Sequence, residues 1–249
     1  MIPPFSIFPL GDSAITLDLG NRIDEQLNRK ALSVRQWLES RHVPGILDII
    51  VAYSTVSVFY DLVTVGSAIC GSGEGVYQYM HRKLEEAYGQ VGQGGIIKDT
   101  TIIKVPVCYG AEYGPDLEMV ARQKQISSLE LISIHSATIY RVFMIGFLPG
   151  FSYLGSIDQR LEIPRKDSPV PVAAGGVGIA GNQTGIYPLN SPGGWQIIGR
   201  TPLKLFDAGA AVPVLFGIGD HVQFYPVTER EFSQWGRPEP GGAESVRMT

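Results

Sequence analysis

Beyond Ala137 helical periodicity disappears from the sequence, and short β-prone runs alternate with Gly and Pro clusters as far as Pro226. The runs cover residues 139–145, 170–173, 176–180, 185–187, 195–199, 212–216 and 221–225. Each is too short to bury much apolar surface alone, and each carries unpaired backbone groups along its edges. Many short strands with closely spaced turn signals resolve that conflict by pairing into a closed or nearly closed β-barrel. A barrel domain is therefore expected over residues 96–236.

The first third has a different texture. Residues 6–10 and 14–19 are β-prone and separated by the turn-forming Gly11-Asp12. Over residues 23–41, Ile23, Leu27, Ala31, Val34 and Leu38 recur at helical spacing, with Asp24 and Glu25 in the first turn, where carboxylates suit the helix dipole. Residues 46–52 and 55–60 make a hairpin candidate about Tyr53-Ser54. The Gly-rich stretch 71–75 reads as a loop, and 76–88 as a second amphipathic helix. The order β-β-α-β-β-α predicts a small α+β sandwich over residues 1–95, its helices on one face of an antiparallel sheet. Residues 90–95 form a Gly/Gln linker. Beyond them a strand at 101–108 and short helices at 116–124 and 127–136 are expected, with Ser127 and Glu130 spaced as a capping box. Residues 237–249 read as a frayed tail.

Composition excludes several classes. With 44% hydrophobic and 18% charged residues the chain is globular rather than disordered. A net charge of −4, with no basic run interleaved with aromatics, argues against a nucleic-acid partner. No apolar stretch approaches the ~20 residues that span a bilayer. The start, Met1-Ile2-Pro3-Pro4-Phe5, lacks the basic and apolar regions of a signal peptide, so a cytoplasmic protein with no membrane contact is expected. Cys70 and Cys108 have no CxxC spacing, and His42, His81, His135 and His221 show no ligand spacing; no metal site is expected.

Three runs carry the functional signal. In Gly146-Phe-Leu-Pro-Gly-Phe-Ser-Tyr-Leu-Gly155, Pro149-Gly150 suits a type II turn, flanked by Phe147, Phe151 and Tyr153. In the second run Gly176, Gly178 and Gly181 match G-x-G-x-x-G formally, but no helix pattern follows, which rules out a dinucleotide fingerprint. Those glycines instead suit close approach of a ligand or a neighbouring strand. In the third run Pro192-Gly193 is another type II turn candidate, delivering Trp195 onto a strand, and Arg200 is a cation in a stretch with almost no other charge. Such an arginine pairs with a carboxylate or meets an anionic ligand. Arg165, beside Pro164, is a second cation candidate. Taken singly, each feature has an ordinary structural explanation.

Taken together they do not. The order His135, the 146–155 run, Pro164-Arg165, Gly181-Asn-Gln-Thr-Gly-Ile-Tyr-Pro188, Ser191-Pro-Gly-Gly-Trp195 and Ile198-Gly-Arg-Thr-Pro202 strongly resembles the KipI family, also called allophanate hydrolase subunit 1 or the 5-oxoprolinase B-subunit (PxpB). The likeness extends to Gly11-Asp12-Ser13-Ala14 and residues 53–61. It implies a cyclophilin-like barrel behind the small α+β domain. It also implies an enzyme subunit, inactive alone, that joins the A- and C-subunits in the ATP-dependent opening of 5-oxoproline to glutamate. Other members resemble a part of urea carboxylase or allophanate-processing enzymes, or inhibit a sporulation histidine kinase, so a kinase is an alternative partner. The resemblance marks Arg200, Gln183 and His135 as catalytic positions, and Arg165, Phe151, Tyr187, Trp195 and Thr201 as substrate contacts. The cations and the Gln183 amide would stabilise an anionic intermediate, and the rings would exclude water. One stretch departs from the family pattern. The usual second Arg after Pro164-Arg165 is missing, Ala173 stands at the usual Pro, and Gly176 at the usual Ser.

Overall fold

A computed structural model of the protein describes residues 5–91 and 102–235. The chain divides into two compact units, Met1–Asp99 and Thr100–Thr249. The expected boundary at 95/96, linker residues 92–95, Thr101 and the expected tail at 237–249 lie outside the described residues.

In the first unit β1 (Ser6–Pro9), β2 (Ala14–Asp18), β3 (Ile46–Ala52) and β4 (Thr55–Tyr60) form an antiparallel sheet in the order β1-β2-β4-β3. Helix α1 (Glu25–Ser40) starts where the Asp24 carboxylate accepts the Leu27 N–H. Its buried Ala31, Val34 and Leu38 join Met80, Leu84 and Ala87 of α3 (Val76–Gln90) in covering Ile15, Leu17, Val56 and Val58 of the sheet. At the β3–β4 turn Tyr53 has φ 53°, and the buried Asn28 amide donates to the Tyr53 carbonyl at 2.7 Å, tying the turn to α1. A short helix α2 (Leu62–Ala68) was not expected. It buries only Val65, so it leaves no periodic trace in the sequence.

The second unit opens with β5 (Ile102–Tyr109), α4 (Leu117–Lys124) and α5 (Ser128–Ala137). Strands β6 (Ile139–Ile145) and β7 (Ser152–Gly155) follow, then a 3-10 turn at Gln159–Leu161. Next come β8 (Val170–Val172), β9 (Gly176–Ala180), β10 (Gln183–Ile186), β11 (Ser191–Gly193), β12 (Gln196–Arg200), β13 (His221–Pro226) and α6 (Glu229–Gln234). Seven strands close a barrel in the order β10-β7-β6-β13-β5-β12-β9, while β8 and β11 pair as a separate ribbon. Alternate residues fill the interior, among them Val105, Val107, Val177, Ile179, Val222 and Phe224.

Two expectations need correction. Residues 212–216 form no strand; Val214 makes only an isolated bridge to Phe206. Pro192-Gly193 is no turn either: it lies in β11, with Pro192 opposite Pro171 of β8. Two facing prolines lack ladder donors, which suits a narrow ribbon outside the main sheet. The Ser127 hydroxyl does accept the Glu130 N–H, but the complete capping box belongs to Thr228 and Glu231 at α6.

His135 of α5 is fully buried, stacked on Phe224 with centroids 4.6 Å apart. Its Nδ1 lies 2.8 Å from the Tyr109 hydroxyl and its Nε2 2.9 Å from the Thr184 hydroxyl. Thr184 donates its one proton to the Gly178 carbonyl at 3.0 Å, so it accepts from His135 Nε2–H, and Nδ1 accepts from Tyr109. Burial pushes the imidazole pKa from 6.5 down to about 3. Below pH 6.5 the unfolded chain therefore takes up a proton that folded His135 refuses. This contribution to stability is complete above pH 6.5 and falls as pH drops toward about 3, by at most about 1.4 kcal/mol per pH unit. His135→Gln should lower the urea midpoint at pH 7 yet flatten its decline between pH 6.5 and 4. Equally steep declines in variant and parent would assign the titration elsewhere.

Candidate functional site

On β10 Thr184 and Ile186 point into the barrel, so Gln183 and Gly185 face outward. Gly185 stands opposite Tyr153 on β7 and Gly178 on β9, and Gly178 stands opposite Ile197 on β12. Two adjacent positions of the outer wall thus lack a Cβ. Trp195 fills the space: a Cβ on Gly185 would lie 2.9 Å from its Cζ3, and one on Gly178 would lie 3.1 Å from its Cβ. Phe151 meets Tyr187 and Trp195 edge-to-face, at centroid distances of 5.0 and 5.5 Å. All three rings are buried and form a second small core with Val172, Ala180 and Ile197. The glycine floor lets them sink into the surface and pack on each other.

Phe151 is delivered by the expected type II turn, with Gly150 at φ +83° and the Phe151 N–H donating to the Leu148 carbonyl at 3.0 Å. Just before it Phe147 is 64% exposed, its backbone at φ 74°, where a bulky residue is strained. Gly176, at the usual Ser of the family pattern, has a local reason. A Cβ there would lie 2.7 Å from Val172 Cγ1 and 3.0 Å from the Ala173 carbonyl.

A polar clamp joins the 163–167 loop to β12. Asp116 is positioned as the N-cap of α4 but caps no helix N–H. Its Oδ2 accepts the Ile197 N–H and the Lys166 ammonium, both at 2.6 Å. The Lys166 N–H donates to the Gly194 carbonyl at 2.7 Å, and the Gln196 amide donates to the Pro164 carbonyl at 3.1 Å. Between these anchors Arg165 is exposed, with its guanidinium carbon 5.9 Å from the Trp195 ring centroid. Asp116 and Lys166 were not singled out from sequence. Lys166 adjoins a marked motif, but a helix-start aspartate 50 residues earlier carries no signal.

The register sorts the other candidates. Gln183 pairs with Ala180 at one end of β9, and Ile163, two residues before Arg165, bridges Gly181 beside it. The Gly181 bridge thus starts the Arg165 loop beside Gln183, and the Trp195 ring, near the Arg165 guanidinium and against Phe151, bounds the same corner of the outer wall from its other side. Arg200 pairs with Gly176 at the far end of β9, about 13 Å away along the strand at ~3.3 Å per residue. There its Nε donates to the Ala174 carbonyl at 2.7 Å, its guanidinium lies 6.0 Å from the Phe232 ring centroid, and it forms no ion pair among the described residues. Buried Thr201 follows it, its hydroxyl accepting the Leu203 N–H at 3.3 Å. Tyr187 packs against Gly193, where a Cβ would lie 2.6 Å from its Cε1. His135 stands apart from the corner, inside the barrel, and reaches it only through Thr184 and the Gly178 carbonyl.

Among the described residues no group of His, Cys, Asp and Glu could hold a metal ion, and no helix is long and apolar enough to cross a membrane. The glycine floor makes a direct test of the corner. Gly185→Ala should cost about 1–3 kcal/mol in urea unfolding and red-shift the tryptophan fluorescence as Trp195 lifts from the wall. An unchanged midpoint and spectrum would mean the ring does not depend on the missing Cβ.

Comparison with known proteins agrees with this architecture. Residues 5–216 match the family model of the carboxyltransferase domain, subdomain C and D. The chain is 40% identical to the 5-oxoprolinase B-subunit of Bacillus subtilis over 229 residues, 92% of this chain and 95% of that one. It is 36% identical to the protein of the same name from Haemophilus influenzae, over 88% of this chain and 96% of the other. The solved conserved uncharacterized protein PH0987 from Pyrococcus horikoshii shares 41% identity over 91% of this chain and all of its own, with a TM-score of 0.52. The chain therefore belongs to the family of the carboxyltransferase domain, subdomain C and D, and within it to the group of the 5-oxoprolinase B-subunits.

Proposed function

We propose that this chain is the B-subunit of an ATP-dependent 5-oxoprolinase, opening 5-oxoproline to glutamate together with the A- and C-subunits and inactive without them. The observation that carries the reading is near-full-length likeness to two proteins that bear the name of the 5-oxoprolinase B-subunit. The corner holding Arg165 and Gln183 supports it.

A lactam carbonyl is resonance-stabilised and resists water. ATP would supply the phosphoryl group that activates it, and negative charge would then gather near the former carbonyl oxygen. Gln183 offers an amide to that charge at an outward corner, where Arg165 adds a cation for the rest of the substrate and a dry aromatic plate limits competing water. Phe151, Tyr187 and Trp195 act mainly by holding that corner in shape. At the other end of β9, Arg200 has its Nε engaged by Ala174, which leaves its terminal nitrogens for an anion such as phosphate, with Thr201 alongside. His135 acts at one remove, by fixing Thr184 and the strands that carry the glycine floor. Gly181 leads into β10 and not into a helix, so the described residues contain no helix-capped phosphate loop after these glycines, and nucleotide handling falls to the assembled complex.

Co-expression with candidate A- and C-subunits tests the reading. The complex should release glutamate from 5-oxoproline only when ATP is present, and this chain alone should not. Gln183→Ala should lower kcat by about 10²-fold, as loss of one donor to a developing oxyanion does, while the complex elutes unchanged. Full turnover by Gln183→Ala, or by the isolated chain, would contradict the assignment.

A further inference from the structure

Lactam activation alone gives no reason for a loop held at several points to present one exposed arginine. We infer that Arg165, held beside Trp195 by the Lys166–Asp116 clamp and flanked by Tyr153, is an anchor for the carboxylate of a small monoanionic amide substrate. This rests on the proposed function, in which the same corner receives 5-oxoproline, a lactam bearing one carboxylate.

Four observations converge on it. Charge comes first: Arg165 forms no ion pair among the described residues, whereas its neighbour Lys166 is neutralised by Asp116 at 2.6 Å. The exposed carboxylates nearest in sequence, Glu162 and Asp167, make no ion pair with it. Arg165 thus presents one guanidinium without an ion-pair partner among the described residues, which matches a single carboxylate better than a dianionic phosphate. Its surroundings come second: Trp195, Tyr153 and Gln196 are neutral, and Tyr153 packs against Phe151 and Trp195 at 4.7 and 5.8 Å. Burial raises the Tyr153 and Tyr187 phenol pKa values, and the charge on Arg165 opposes that rise in both. Both phenols therefore remain protonated at neutral pH and the arginine lies close enough to bear on them.

Preorganisation is the third. The Lys166 N–H bond to the Gly194 carbonyl and the Gln196 side-chain amide bond to the Pro164 carbonyl fix the loop on both sides of Arg165. Less freedom is then lost when its planar fork engages a carboxylate. Placement is the fourth, since Gln183 lies beside the Gly181 bridge from which the Arg165 loop departs. One end of a small substrate meets an amide, the other a guanidinium. In these terms Arg165 sets specificity, and Lys166 and Asp116 are positioning residues.

The test compares 5-oxoproline with its carboxamide analogue in the reconstituted complex. Arg165→Gln should raise KM for 5-oxoproline about 10–100-fold, the worth of a charge-assisted hydrogen bond, with kcat nearly unchanged. The carboxamide, which has no charge to lose, should bind parent and variant alike. Arg165→Lys should recover part of the loss, and Lys166→Met should reproduce it more weakly, again in KM. Equal effects on acid and amide, a loss confined to kcat, or no effect would overturn the anchor. A parent complex that releases no glutamate would defeat the functional reading instead. In that event, titrating 5-oxoproline into the full chain and following the Arg165 side-chain 15N resonance decides the anchor alone. A shift absent with the carboxamide supports it, and no shift overturns it.

Discussion

Gly178 and Gly185 face each other across β9 and β10, and the absence of two side chains there governs the outer wall of the barrel. A β-sheet normally presents a continuous layer of Cβ atoms. Here the layer has a gap about two residues wide, and Trp195 occupies it from outside with Phe151 against its edge. Burying aromatic rings on the convex side of a barrel gives that side a core of its own, with a driving force of roughly 25 cal/mol per Å² of apolar surface. Each ring comes from a different connection. Phe151 closes the β6–β7 turn, Tyr187 follows β10, and Trp195 precedes β12. Fastening those three segments together is what creates a corner.

The polar clamp depends on that arrangement. Once Trp195 is seated, Gly194 and Ile197 on either side of it present a carbonyl and an N–H at fixed positions, and Lys166 and Asp116 bond to them. Asp116 forgoes the usual task of a residue at a helix start. Its carboxylate instead links α4, β12 and the 163–167 loop, and the partner ammonium removes its charge from the surface balance. Arg165 remains as an exposed cation that forms no ion pair among the described residues. The buried His135 contributes differently: its neutral ring, with both nitrogens bonded, braces the inner side of the strands that carry the glycine pair on their outer side.

Much of the fold was legible in the sequence because strands and helices leave local periodicity. The runs at 139–145 and 176–180 coincide with β6 and β9, and the barrel closes as turn density and strand length suggest. Pro192-Gly193 misled because a turn and a ribbon of paired prolines use the same residues; only the partner strand, with Pro171, distinguishes them. The site was legible as a set of motifs and not as an arrangement. Gln183 and Arg200 each adjoin a conspicuous glycine run, but which end of β9 each meets depends on register, a long-range property. Likewise nothing local separates a histidine near a helix end from one lodged in a barrel. The Gly176 departure from the family pattern also becomes intelligible only beside Val172.

The central claim is that function is exercised at the corner built on the glycine pair. Hydrogen–deuterium exchange on the assembled complex tests it most directly, comparing samples with and without 5-oxoproline and a non-hydrolysable ATP analogue. The account predicts new protection in residues 163–167, 183–187 and 193–197 together, because one ligand closes all three segments. Protection confined to other surfaces, such as the 203–220 connection or the N-terminal sheet, would contradict it.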